Sequence, residues 1–355
     1  MNHLPSLRLL YQQTQYPIFQ NRMYDTEEEA KACPKGEVQL VEDQNTGLVY
    51  NVAFRPELMV YDSQYQNEQA ISLLFQKHLE TVWRIVERCI GRHSLVEVGC
   101  GKGAFLELLL AKGFDVTGFD PTYEGNNPKV MKNYFEPGLG IKADGLLLRH
   151  VLEHIQDPFN FLLQLKKANC DNGKIYIEVP CFDWICKHRA WFDIFYEHAN
   201  YFRISDFDRM FGTILESGHL FGGQYLYVVA ELASVRKPEI DLSDKVIFPR
   251  SFTEGITRPV HTRTSQAAIW GGASKGVIFA LLKARSGQSP LFVIDINPAK
   301  QGKYLPATGL LVHSPANALI KLPKQSTIYV MNSNYLQEIK EMSNNTFNYI
   351  QIDHE

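Results

Sequence analysis

The sequence predicts an α/β protein built on an open parallel sheet with helices on both faces. Three observations predict it. The stretch 94–120, SLVEVGCGKGAFLELLLAKGFDVTGFD, reads as strand, glycine turn, helix and strand. Strand-like and helix-like patterns keep alternating up to about residue 180, the order that builds a parallel sheet. A second alternation, with its own glycine turn at Gly271 to Gly276, begins near residue 267.

Taken in order, residues 1–70 are polar and tyrosine-rich. GEVQLVEDQNTGLVYNVAF (36–54) reads there as two short strands around the turn-type cluster Asn45-Thr46-Gly47, so a small β-rich unit is expected. A long amphipathic helix is expected over about 68–91, with Ile71, Leu74, Phe75, Leu79, Val82, Trp83, Ile85 and Val86 on its apolar face. After Asp120 come a polar loop, a third strand VMKNYF (130–135), a fourth strand GLLLRH (145–150), a helix FNFLLQLKKA and a fifth strand GKIYIEVP (173–180). Right-handed crossovers place the carboxyl ends of these strands along one edge, where ligands of such sheets bind. GQYLYVVAEL (223–232) is expected as an antiparallel edge strand. Residues 233–265, with Pro238, Pro249 and Pro259, read as a linker with one helix. The expected domains are thus 1–66, 67–235 and 236–355.

Composition narrows the function classes. Of 355 residues, 45% are apolar and 21% charged, and the net charge is −3 with no basic tract, so no nucleic-acid partner is indicated. No apolar run approaches the roughly 20 residues needed to cross a bilayer. The N-terminus lacks a charged leader followed by an apolar block, so a cytoplasmic protein is expected. The six cysteines form no CxxC pair, Cys181 and Cys186 do not suit a zinc knuckle, and all read as reduced thiols, with no metal expected.

The glycines of Gly99-Cys100-Gly101-Lys102-Gly103 allow a sharp turn and close approach of a ligand. Asp120, closing the next strand, suits a ribose diol, and Pro121 follows it. A nicotinamide-dinucleotide fingerprint fits poorly, because Ala104 stands where it wants glycine. An ordinary tight βα turn is the plain alternative. Arg149 and His150 end the fourth strand; they suit a ligand or, equally, a cap or salt bridge near Glu153. His154 reads as structural. Phe195-Tyr196-Glu197-His198-Ala199-Asn200-Tyr201-Phe202 follows the fifth strand, where a histidine beside a glutamate suits a general base. The plain alternative there is a buried aromatic cluster with one satisfied histidine.

The glycine turn with Glu97 two residues before it resembles the ExGxGxG motif of class I S-adenosylmethionine (SAM) methyltransferases, which have a Rossmann-like core. VEVGCGKG, RHVLEHIQDP, YIEVP and YEHANYF, followed by AIWGGASKG, VIDINPAKQGKYLP and VHSP, resemble sugar C-methyltransferases over roughly residues 60–355. The resemblance implies SAM as cofactor, held by Glu97, Gly99, Cys100, Gly101, Asp120, Pro121, Phe135, Arg149 and His150. It implies carbon methylation of a nucleotide-linked 4-keto-6-deoxy sugar by a monomer or homodimer, with a second Rossmann-like C-terminal domain closing the cleft. His198 is then the expected base, Glu197 its orienting partner or a contact to a sugar hydroxyl, and Tyr201 or Tyr65 a donor to the enolate oxygen. Tyr65, Tyr196, Lys275 and Lys303 are expected at the substrate. The family's N-terminal zinc cysteines are missing, since only Cys33 lies in that region, so that unit is expected without zinc. The first histidine of the family's YHEH run is also absent, and Ala307 replaces a glycine. An O- or N-methyltransferase for another small molecule, and a non-catalytic relative, are the competing expectations.

Overall fold

The computed structural model describes residues 6–59, 72–258 and 266–353. At the N-terminus, β1 (Leu7–Pro17), β2 (Lys35–Asp43) and β3 (Val49–Asn51) form an antiparallel sheet. The β2–β3 turn is the expected one. Asp43 Oδ1 accepts from Asn45 N at 2.7 Å, and Gly47 takes a φ of 75° that favours glycine. Strand β1 was not expected. Its run of glutamines hides any alternation, and pairing with β2 along almost its whole length is what orders it.

The central unit contributes β4 (Leu95–Val98), β5 (Val116–Phe119), β6 (Val130–Met131), β7 (Gly145–Arg149), β8 (Lys174–Pro180), β9 (Asn200–Tyr201), β10 (Ile214–Leu220) and β11 (Tyr225–Glu231). Seven of these make one sheet in the order β10-β11-β8-β7-β4-β5-β6. Strands β4 to β8 are parallel, and β11 and β10 run antiparallel at one side. Leu146, Leu147 and Leu148 on β7 are fully buried, as a strand covered on both faces requires. Three expectations change. The third strand stops at Met131. The edge strand is β10, whose side chains alternate between half-buried and exposed, so β11 lies one place inside it. The amphipathic helix is Leu73–Cys89, capped by Ser72 Oγ accepting from Leu74 N and Phe75 N. The expected start of that helix, and Tyr65, lie outside the described residues.

Strand β9 leaves the central sheet and pairs with β3, stitching the segment after β8 to the N-terminal sheet. Residues 236–258, read as a linker, lie across the same sheet: Arg8 Nη2 donates to Val246 O at 2.6 Å, and Ile240 N to Asn45 O at 2.8 Å.

The C-terminal unit is a second parallel sheet of β12 (Ala267–Trp270), β13 (Val293–Ile294), β14 (Val312–His313), β15 (Thr327–Val330) and β16 (Asn348–Gln351), ordered β14-β13-β12-β15-β16. A Cβ on Gly276 would stand 1.9 Å from Gly271 O, so only glycine lets helix Ser274–Arg285 start this close to the turn. The two parallel sheets are locked together. Trp191 stacks on Phe279 with centroids 5.4 Å apart. Gln224, buried beside β11, exchanges hydrogen bonds with Asn332 at 2.8 and 2.9 Å and donates to Asp353 Oδ2 at 3.2 Å.

Candidate functional site

The carboxyl ends of β4, β5 and β7 build the first half of the site. Gly99, Gly101 and Gly103 all have positive φ, and a Cβ on Gly101 would meet no atom within 4 Å. The space over that turn is open. Asp120 Oδ2 accepts from Gly101 N at 2.8 Å, and Oδ1 accepts from Thr122 N and Oγ1, each at 2.8 Å. Oδ1 is filled by these two bonds, and Oδ2 keeps a further acceptor position. Glu97 is buried under the turn and its Oε2 has no hydrogen-bond partner. Burial pushes its carboxyl up to about 8, Arg149 pulling it down and Asp120 pushing it further. A buried acid with one unpartnered oxygen beneath the turn, able to give up its proton, fits a cationic donor. Cys100 packs its Sγ over Gly118, where a Cβ would stand 2.8 Å away, and its thiol is pushed up by burial. Pro121 is exposed at the rim, and Phe135 is buried with its ring edge-on to Phe119 at 5.2 Å.

Beneath this lies a buried charge network centred on Glu178 of β8. Its Oε2 accepts from Arg149 Nε at 2.9 Å and Tyr176 OH at 3.1 Å, and its Oε1 faces His78 Nε2 at 2.7 Å and His150 Nε2 at 3.4 Å. Burial raises the Glu178 carboxyl, but Arg149 and the two histidines outweigh it and hold it well below the usual range. His150 sits at a φ of 52°, with Nδ1 3.3 Å from Glu153 Oε1. Burial opposes its charge, yet Glu153 and Glu178 carry its imidazolium up to about 9. Arg149 and His150 thus form the salt-bridge floor of the site. Sequence reasoning missed Glu178; the available signal was one acid inside the otherwise apolar run of β8.

The second half is a cavity of about 250 Å³ between the ends of β7 and β8 and the glycine turn after β12. His150, Glu153, His154, Glu197 and His198 line one wall; Gly271, Lys275, Asp295 and Lys300 line the other. The glycine turn after β4 adjoins it, because β4 and β7 are paired up to Val98 and Leu148 and His150 lines the cavity. Glu197 Oε1 accepts from Gln20 N at 2.6 Å, and its carbonyl accepts from His154 Nδ1 at 2.8 Å. His198 is buried, its ring 4.0 Å from Phe195 and 5.0 Å from His154, and its Nδ1 has no hydrogen-bond partner. Burial, with the positive fields of His154, His150 and Lys275, holds its imidazole well below the ordinary value, so it is neutral with a free lone pair.

Several expected contacts fall elsewhere. Tyr201 OH is engaged by the Phe195 backbone, donating to its carbonyl at 3.1 Å and accepting from its N–H at 3.0 Å; it pins the loop that carries His198 instead of lining the cavity. Tyr196 is a wedge against the N-terminal sheet, its ring filling the space over Gly36 and its OH accepting from Arg55 N at 3.0 Å. Lys303 pairs with Asp25 at 3.4 Å, away from the cavity lining. The lysine of that segment that does reach the cavity is Lys300, buried, with Nζ donating to Asn21 Oδ1 and Gly272 O at 3.2 Å each. Lys275 lines the cavity, paired with Asp193 at 3.0 Å and donating to Gln224 Oε1 at 2.9 Å. Of the six cysteines, none is in a disulfide; three are buried.

Residues 63–213 match a family model described as a methyltransferase domain. C-methyltransferase NovU of Streptomyces niveus is 24% identical over 332 residues, covering 80% of this chain and 77% of that protein. Among solved structures, a SAM-dependent methyltransferase from Archaeoglobus fulgidus is 17% identical with a TM-score of 0.34, over 44% of this chain and 93% of its own. Magnesium protoporphyrin IX methyltransferase from Synechocystis PCC 6803 with bound SAM is likewise 17% identical, with a TM-score of 0.33, over 50% of this chain and 89% of its own. With the family match falling on the sheet that carries the glycine turn and Asp120, the chain is a SAM-dependent methyltransferase.

Proposed function

We propose that this methyltransferase alkylates carbon, next to the ketone of a nucleotide-linked keto-deoxy sugar, with His198 as general base. The observation that carries the reading is His198 itself: buried, neutral, unpartnered at Nδ1 and on the wall of the cavity. A C–H beside a ketone needs a base with a free lone pair, held dry and close. The name of NovU, a C-methyltransferase, supports the same chemistry.

The donor site proposed here is the crevice over Gly99–Gly101, with Glu97 receiving the ammonium and Asp120 the ribose hydroxyls. The bound cofactor supplies an electrophilic methyl on a sulfonium. The remaining work is done by the chain. Asp120 keeps the turn open through Gly101 N. Phe195 and His154 fix the plane of the His198 ring, and Glu197 ties its loop to Gln20. His198 takes the proton from the carbon, and the carbanion equivalent formed is presented to the donor side of the cavity. Lys275 and the glycine turn at Gly271 provide the opposite wall for the nucleotide end of the acceptor.

The test is His198→Ala and His198→Gln with nucleotide-linked keto sugars, reading the product by NMR. Binding of S-adenosylhomocysteine should persist while turnover falls by about 10²–10⁴-fold. Normal turnover in both variants, or a methyl shift typical of oxygen or nitrogen, overturns the reading.

A further inference from the structure

We infer that Glu153, His154 and His198 form a binding site for a divalent first-row transition ion of the zinc type, and that an ion there holds the enzyme inactive. The cluster is assembled from the turn after β7 and the loop before β9, and one ligand atom from each residue lies within 4.8 Å of the others. Two imidazole nitrogens and one carboxylate oxygen are a common three-residue zinc set that leaves a fourth position open. Tetrahedral ligands sit about 3.3 Å apart, so small side-chain movements close the set.

Two buried atoms in the cluster are unsatisfied. Glu153 is 1% exposed and its Oε2 has no partner; His198 is 6% exposed and its Nδ1 has none. The outer contacts are those a metal site needs. A carbonyl can only accept, so His154 Nδ1 carries the hydrogen it gives to Glu197 O, which leaves Nε2 with its lone pair. Glu153 Oε1 is steadied by His150 Nδ1 at 3.3 Å. All three ligands line the cavity, which is the entry path.

The consequence for activity rests on the reading of His198 as base. A metal bound to one nitrogen of an imidazole removes the ring's basicity, so the same side chain cannot hold the ion and accept the substrate proton.

The experiment uses the full-length protein stripped with a chelator and titrated with cobalt(II), followed by the visible ligand-field bands and by displacement with zinc. One ion per chain is expected. Glu153→Gln and His154→Gln should each weaken binding by about 10-fold or more. Both variants should still bind S-adenosylhomocysteine, which shows that they are folded. Absence of bands up to millimolar cobalt, or unchanged affinity in both folded variants, overturns the site. In a second arm, zinc should stop methyl transfer and a chelator should restore it; full turnover at saturating zinc overturns the blockade. The spectroscopic arm needs no acceptor, so a wrong acceptor assignment leaves it readable.

Discussion

Arg149 Nε donates to Glu178 Oε2 at 2.9 Å, and neither side chain has appreciable contact with water. The pair sets the floor on which the donor turn and the cavity both rest, because His150 and His78 lean on the same carboxylate. Removing one member of a buried charge network leaves the others uncompensated. Glu178→Gln should therefore cost about 3–5 kcal/mol in denaturant unfolding. Pairing it with Arg149→Met should recover part of that loss, because the uncompensated guanidinium is gone. Equal and additive losses in the cycle would contradict a shared network.

Gly99 and Gly101 share a left-handed backbone but differ in surroundings. A Cβ on Gly99 would stand 2.5 Å from Val151 Cγ2, whereas one on Gly101 meets nothing within 4 Å. Gly101→Ala should cost about 1–2 kcal/mol from backbone strain alone. It should lower affinity for S-adenosylhomocysteine by at least about tenfold, because the methyl enters the proposed donor space. Gly99→Ala should lower the melting temperature further, through the added clash. Thermal melts with and without the ligand separate the two outcomes.

The glycine turn and Asp120 were legible because their meaning is local. A few residues fix strand, turn and acid, and the long-range context only has to close around them. The cavity was less legible. Tyr196, His198 and Tyr201 are close in sequence, yet only His198 reaches the cavity, because side-chain directions in an irregular loop follow from β9 pairing with β3 and from the Phe195 contacts. Lys300 and Lys303 are one turn apart, and the packing of Asn21 against Ser274 brings the first inside and leaves the second half-exposed. Glu178 was hidden by its apolar neighbours. The grouping of Glu153 and His154 with His198 has no sequence spacing to betray it, since two separate strand ends bring it together.

Gln224 joins the two parallel sheets. Besides its exchange with Asn332, its Oε1 accepts from Lys275 Nζ at 2.9 Å. Gln224→Ala leaves buried polar partners unsatisfied, at about 1–3 kcal/mol. The wall carrying Lys275 should loosen while the glycine turn after β4, three strands along the same edge of the sheet from β11, stays formed. The expected result is a raised KM for the acceptor with an unchanged Kd for S-adenosylhomocysteine. A matched rise in both constants would mean that the clamp supports the whole site instead of its acceptor half.

With Glu97 as the proposed acceptor of the donor's ammonium, donor binding should depend on pH. Its folded carboxyl lies at about 8, against an ordinary value of 4.5, because burial disfavours the charge. The folded chain therefore keeps a proton that the unfolded chain releases, and the stability tied to this group is full below pH 4.5 and is lost as pH rises towards about 8. Glu97→Gln should remove that slope and make the protein more stable at pH 8. A donor whose ammonium pairs with Glu97 needs the carboxylate, so binding at pH 7 must expel the proton. Affinity should then tighten by up to about tenfold per unit as pH rises towards about 8. Calorimetry in buffers of different ionisation enthalpy should register close to one proton released at pH 6.5, and none in Glu97→Gln. A flat pH profile with no proton release in the wild-type protein would place the ammonium away from Glu97.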